Sequence, residues 1–371
     1  MNNLHGILFA YHCNPRLREL TEHRTTSSIP FGGRYRIIDF MLSSYVNAGI
    51  TDVGVILHES YQSLLDHLGS GKNWDLSRIR GGLKILPPFA YAKKRDGGKF
   101  RGEMEALAGV YTYLQQIHQD YVILGTGDLV ANLPVGDIFK AHLDSGADIT
   151  AVCVRPPVGE PEYTTYFSIG PNGLVSDVSC GGGNSLPYES LDVYILSKSL
   201  LLSLTDYCAS HNLYGFSKDV LQNMGGTLSI SPYIFQGYAA RIQSSAAYYA
   251  KSMELFSPKV RSSLFHADHP IRTKVRSDPS TYYGPEAKPR NCLAADGCII
   301  EGEVENSILF RGVRIEKDVR VKNCILLQDT VIRSGAILNC VIADKDVVIN
   351  QGRMLMGHDS YPLVLAKDSV I

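Results

Sequence analysis

Apolar residues recur every six positions at Val313, Val319, Ile325, Val331 and Ile337, with a second column at Ile315, Val321 and Leu327. A strand repeats its face every second residue and an α-helix about every 3.6, so neither sustains a period of six. A parallel β-helix does, because each turn of the chain is made of three short flat sides that stack on the next turn. Cys298, Cys324 and Cys340 fall in the same tract, where a small apolar side chain can stack in the coil interior. A plain β-sandwich with fortuitous spacing is the competing interpretation. Solenoids leave faces and ends that stack, so this domain is also a candidate assembly surface.

Upstream the pattern is different. Leu4–Ala10, Val53–Leu57, Tyr121–Leu124 and Ile149–Val154 read as buried strands, while Phe40–Ala48, Ser60–Leu68, Met104–Ile117 and Val135–Leu143 carry apolar residues at helical spacing,. That alternation predicts a layered α/β domain with a largely parallel sheet. The stretch 257–290 is rich in Pro, Ser and charge and reads as a linker,. The expected organisation is therefore 1–256, a linker 257–290, and a hexapeptide-repeat domain 291–371. A total of 371 residues suits two domains,.

Composition enters by exclusion. With 36 Lys+Arg against 37 Asp+Glu there is no bias toward polyanions, so nucleic acid is not expected as a partner,. The N-terminus lacks a basic region and the apolar run Ile7–Ala10 is too short for a signal or spanning helix, so no membrane association and a cytoplasmic location are expected. Eight cysteines without a CxxC pair suit reduced, buried thiols better than zinc or disulfides.

In an open α/β sheet, the first strand-to-helix turn is the natural phosphate cradle. Here it reads Ala10-Tyr11-His12-Cys13-Asn14-Pro15-Arg16-Leu17, with no glycine. Tyr11 and His12 hinder close backbone approach, and Pro15 removes an N–H donor. Arg16 stays as a candidate phosphate contact, a solvated or capping role being the alternative. Farther on, Arg24, Arg34 and Arg36 bracket the turn Gly32-Gly33, which suits bidentate phosphate binding, or else is a solvated basic loop.

The segment Phe31-Gly32-Gly33-Arg34-Tyr35-Arg36-Ile37-Ile38-Asp39-Phe40, with Asn47-Ala48-Gly49-Ile50, Phe100-Arg101-Gly102, Val122–Asp128 and Pro270-Ile271-Arg272-Thr273, resembles the bacterial glucose-1-phosphate adenylyltransferases. The resemblance covers nearly the whole chain in order. It implies a nucleotidyltransferase domain of Rossmann-like, GT-A type followed by a left-handed parallel β-helix, in a tetrameric enzyme of glycogen synthesis. It also implies phosphate or effector contacts for Arg24 and Arg36, and makes Arg16 and Arg101 further candidates. The lysine that precedes the first effector arginine in the family is His23 here.

The departures are specific. The family's glycine-rich nucleotide loop corresponds to Tyr11–Pro15, its phosphate-facing lysine to Thr26, and its Glu-Lys-Pro motif to a stretch near Val175–Pro187 with neither Glu nor Lys. Its magnesium-binding aspartate in Trp-Arg-Asp corresponds to Arg241. Only Asp128 survives, as a vestige. Transfer chemistry of this kind shares a cation between two carboxylates and the triphosphate, so the cleft reads as dismantled, with no metal site expected.

A dismantled copy that keeps its arginines and β-helix resembles the noncatalytic GlgD-type subunit. This implies a catalytic GlgC-type partner, a heterotetramer, a sugar-phosphate effector, and Mg²⁺ held on the partner rather than on this chain. Two alternatives stay open. One is a weakly active or altered-specificity nucleotidyltransferase that recruits Asp177 or Asp192 as a second carboxylate. The other is a stand-alone sugar-phosphate sensor.

Overall fold

The computed structural model describes residues 3–87, 100–156, 158, 164–181 and 186–371; part of the stretch 175–187 considered above, residues 182–185, thus lies outside the described residues. Nine strands form the main sheet of the first domain: β1 Leu4–Phe9, β2 Asp52–Ile56, β3 Gly82–Leu86, β4 Tyr121–Thr126, β5 Ile149–Val154, β6 Thr165–Ile169, β7 Val175–Cys180, β8 Tyr188–Ser197 and β9 Ile230–Ile234. The order is β7-β6-β8-β4-β1-β2-β3, with β5 paired to both β8 and β9. Strands β4, β1, β2 and β3 run parallel, whereas β8 is antiparallel to both β4 and β5. Side chains of β1 alternate between the two faces, Leu4 and Leu8 entering one apolar layer, Ile7 and Phe9 the other, as expected of a strand covered on both sides.

The predicted helix Met104–Ile117 is two helices, Glu103–Gly109 and Tyr111–Gln115, broken at Val110. Gly109 and a β-branched residue in succession weaken a helix at that point. Within 257–290 the structure places a helix at Pro258–Leu264 and the short strands Tyr282–Tyr283 and Lys288–Arg290, so coil formation starts at Tyr282.

The C-terminal domain is a left-handed parallel β-helix with three faces, each a five-stranded parallel sheet. Its strands pair at intervals that correct the uniform spacing of six: Arg320 lies over Ile337 and Ile337 over Met354. Coils are thus 17 residues apart over most of the domain, with 15 between Lys288 and Glu303, Leu293 and Ile308, and Ile299 and Arg314, and 22 between Val341 and Leu363. The interior column follows steps of six, five, six and six through Ile315, Val321, Leu326, Ile332 and Leu338. Of the column read from the sequence, Val313 and Val319 are interior, Ile325 faces the first domain, and Val331 and Ile337 are only half-buried. Cys298 and Cys324 stack inside as expected, but Cys340 does not. It sits at a corner with φ +53° and joins the core shared by the two domains.

Corners need left-handed backbone, which Asn, Asp and Gly adopt at least cost. Asn291, Asn306, Asn323 and Cys340 form one such edge, and Gly312, Asp329 and Asp346 another. Along the first edge, Asn291 Nδ2 donates to Asn306 Oδ1 at 2.7 Å and Asn323 Nδ2 to Asn339 Oδ1 at 3.2 Å. One face of the β-helix then docks on the first domain: Ile308, Phe310, Ile325, Leu327 and Ile342 pack with Leu17, Phe31, Phe40, Tyr248 and Leu264. Among the described residues no helix is long and apolar enough to cross a membrane.

The Asn323 corner, at φ +51°, should tolerate glycine but not a β-branched residue. Asn323→Val is expected to lower unfolding free energy by about 2 kcal/mol and Asn323→Gly by under about 1 kcal/mol, as read from urea denaturation.

Candidate functional site

Strand β1 ends at Phe9, and the chain turns through Tyr11–Asn14 into a short 3-10 helix, Pro15–Thr21. Asn14 caps it, its side chain accepting the Arg16 backbone N–H at 3.0 Å,. Tyr11 packs its ring on His12 at 4.4 Å and meets Phe100 edge-on at 5.2 Å. An aromatic cluster thus stands where a glycine-rich turn would bring bare backbone to a phosphate.

His12 Nε2 lies 3.8 Å from Glu103 Oε1. Burial opposes the charged imidazole, but Glu103, Asp128 and Asp192 outweigh it and raise its pKa. Burial likewise opposes the Glu103 carboxylate, yet His12 and the Phe216 backbone N–H hold it below the usual range. Glu103 was not anticipated from sequence, although it directly follows the Phe100-Arg101-Gly102 segment noted there.

Arg241 belongs to the short strand Ala239–Arg241, which pairs antiparallel with Leu129–Ala131 and so stands beside Asp128. The guanidinium is 3% exposed. Nε donates to Glu189 Oε1 at 3.0 Å, Nη2 reaches Asp192 Oδ2 at 2.8 Å and the Ser190 carbonyl at 2.7 Å, and Nη1 lies 3.9 Å from Asp128 Oδ1. Burial works against this cation, but Asp192, Asp128 and Glu189 more than offset it and raise its pKa. Asp128 also accepts the Thr126 hydroxyl at 2.6 Å. Asp192 is presented by a break in register of β8 and has φ +52°, a cost that an aspartate bears only where its surroundings enforce it.

These groups line a cavity of about 360 Å³ with Phe9, Cys13, Asn14, Pro15, Arg16, Thr26, Leu124, Tyr194, Phe216, Ser217 and Gln243. The sequence candidates His12, Pro15, Arg16, Thr26, Asp128 and Arg241 therefore meet in one cleft, as does Asp192, while Tyr11 packs behind its wall. Asp177 is exposed on β7 and is not part of the lining. Thr26 is fixed by its backbone N–H donating to the His12 carbonyl at 2.9 Å. Gly127 allows the approach of this segment, since a Cβ there would fall 2.2 Å from Ser27 Oγ.

A second cavity, of about 290 Å³, opens between the domains and is lined by Arg34, Arg36, His67, Lys274, Arg276, Arg311 and Lys345 among others. Arg36 donates to the Ser63 hydroxyl at 2.9 Å. Burial lowers its pKa to about 10. Arg24 is not in the lining: it is buried and pairs through Nη2 with Asp344 of the β-helix, itself fully buried. Arg101 lies outside both linings, bound to Glu105 at 2.7 Å and stacked over the Tyr214 ring at 3.5 Å. Lys274, Arg276, Arg311 and Lys345 escaped the sequence reading because the fold, not spacing, gathers them.

Two family models match the chain: "Nucleotidyl transferase" over residues 14–179 and "GlmU-like, C-terminal hexapeptide" over 281–361. Among curated proteins it is 36% identical to the glycogen biosynthesis protein GlgD of Bacillus subtilis, covering all of this chain and 97% of that one. It is also 36% identical to GlgD of Geobacillus stearothermophilus, over 85% of this chain and 82% of the relative. The glucose-1-phosphate adenylyltransferase of Thermotoga neapolitana is 31% identical, over 87% and 77%.

Removing Arg241 would leave Glu189, fully buried, without its counter-charge. Arg241→Ala is expected to cost about 3–5 kcal/mol of stability, and the double variant with Glu189→Gln should recover part of that loss in urea unfolding.

Proposed function

This chain belongs to the family of the glucose-1-phosphate adenylyltransferases and the glycogen biosynthesis protein GlgD, and on that premise we propose that it is a regulatory, noncatalytic subunit. It would assemble with a catalytic GlgC-type subunit, as a heterotetramer, that makes ADP-glucose from ATP and glucose 1-phosphate for glycogen. The single observation that carries this reading is the guanidinium of Arg241 held against Asp128, Asp192 and Glu189.

Nucleotidyl transfer needs a divalent cation between two carboxylates and the triphosphate. The described residues do not fit one. Arg241 already occupies the place between the carboxylates that would ligate it and holds them by direct ion pairs, so a metal would have to displace a buried guanidinium,. Thr26 supplies a hydroxyl where the family has a lysine, and Tyr11, His12 and Pro15 crowd the phosphate turn. Losing a lysine, a carboxylate and backbone donors together removes several kcal/mol of transition-state stabilisation at each step. The magnesium of the reaction is then held by the catalytic partner.

The cavity between the domains supports the regulatory half of the proposal. Arg34, Arg36, Lys274, Arg276, Arg311 and Lys345 converge there, a density of positive charge that suits a sugar phosphate with two anionic groups. Arg24 contributes from beneath, through Asp344, rather than by direct contact. Burial, reinforced by Arg36 and Arg24, pushes Lys345 down to about 7. A lysine whose folded pKa lies below its unfolded value is penalised while charged, so its contribution to stability rises from about pH 7 toward about pH 10. An anionic ligand beside it would restore the charged form.

The purified chain is expected to form no ADP-glucose from ATP, glucose 1-phosphate and Mg²⁺, yet to co-elute with a catalytic subunit and shift its kinetics. Turnover like that of an ordinary family member, or indifference to the partner, would refute the assignment. At pH 8, titration with fructose 1,6-bisphosphate in buffers of different ionisation enthalpy should report uptake approaching one proton, and Lys345→Met should abolish it; binding without proton uptake would exclude Lys345 from the effector site.

A further inference from the structure

We propose that the cleft at Arg241 takes an uncharged, polyhydroxylated ligand, a hexose or a nucleoside, in preference to its phosphorylated counterpart. This rests on the reading above only in that no cation-bound triphosphate occupies the cleft.

The charges of the lining are already committed to one another. Glu103, Asp128 and Asp192 present carboxylates, and Glu189 stands directly behind them. Arg241 is engaged by Asp128, Asp192 and Glu189, and His12 by Glu103. Arg16 stands exposed at the margin. A phosphate entering among these groups would face carboxylates at short range in a partly enclosed space, where like charges repel most. Hydroxyl groups, by contrast, find acceptors in those same carboxylates.

A second, independent observation concerns Thr26. It lines the cavity at 1% exposure, and its Oγ1 is buried without a hydrogen-bond partner. The Tyr11 hydroxyl and His12 Nδ1, in the adjoining turn, are in the same condition. A buried hydroxyl left unpaired costs about 1–3 kcal/mol, which a ligand hydroxyl would recover. The remaining walls are Phe9, Leu124 and Phe216, with Tyr194, whose hydroxyl donates to Asp192 Oδ1 at 3.0 Å. Flat apolar surface beside fixed carboxylate and hydroxyl groups is what a sugar ring or a nucleoside presents its two kinds of surface to. The cavity of about 360 Å³ accommodates either.

Isothermal titration of the full-length chain with two pairs of probes, glucose against glucose 1-phosphate and adenosine against AMP, tests this. The uncharged member of at least one pair should bind at least about tenfold more tightly, and which pair responds identifies the ligand class. Thr26→Val, with an unchanged melting temperature, should weaken that binding about fivefold or more, and Thr26→Lys should move the preference toward the phosphorylated probe. Tighter binding of the phosphorylated member in both pairs, or no binding of either uncharged probe up to about 10 mM, would overturn the proposal. Because ADP-glucose formation is measured separately, failure here leaves the noncatalytic assignment standing, and activity there leaves this comparison readable.

Discussion

The apolar seam where one face of the β-helix meets the first domain is accompanied by a buried ion pair between the two. Arg24 reaches across from the segment that begins the domain's loops, and Asp344 receives it from a corner of the coil. Two charges taken out of water are tolerated only as a matched pair, because either alone would carry a desolvation penalty of several kcal/mol. The pair therefore ties the first domain to the β-helix beside the basic cavity. On one side, the chain continues from Arg24 to Thr26 and the cleft; on the other, Asp344 is followed by Lys345 in the basic cavity.

That arrangement joins two sites in one short piece of chain. Arg24, which reaches the basic cavity only through Asp344, and Thr26, which lines the cleft, are two positions apart along the backbone. Lys345 accepts its position through the Asp344 side chain, which takes its backbone N–H at 2.7 Å. Electrostatics thus runs through packing here. A change of charge at Lys345 acts on Arg36 and Arg24 of the first domain as well as on Asp344 beside it.

Much of this was legible in the residues. The change of period marked the β-helix, and Tyr11, Pro15, Thr26 and Arg241 marked a cleft unlike that of an active relative. What failed to show did so for physical reasons. A coil of 17 residues cannot keep a strict period of six, so Ile325 and Cys340 left the interior for the domain interface. Local apolar content cannot tell these fates apart, since an outward residue buried by another domain is as apolar as an inward one. Arg24 looked like a ligand contact because its sequence neighbourhood is basic, yet its partner lies 320 positions away. Clusters built by tertiary contact, such as Lys274 and Arg311 with Lys345, have no local signature at all.

The way Arg241 is held limits what that position can become. An aspartate at that position would face Asp128, Asp192 and Glu189 with the guanidinium gone, and a buried carboxylate set among carboxylates carries both its own desolvation cost and their repulsion. The contacts that anchor Arg241 therefore make it the position of the cleft least free to vary, whatever the cleft comes to hold.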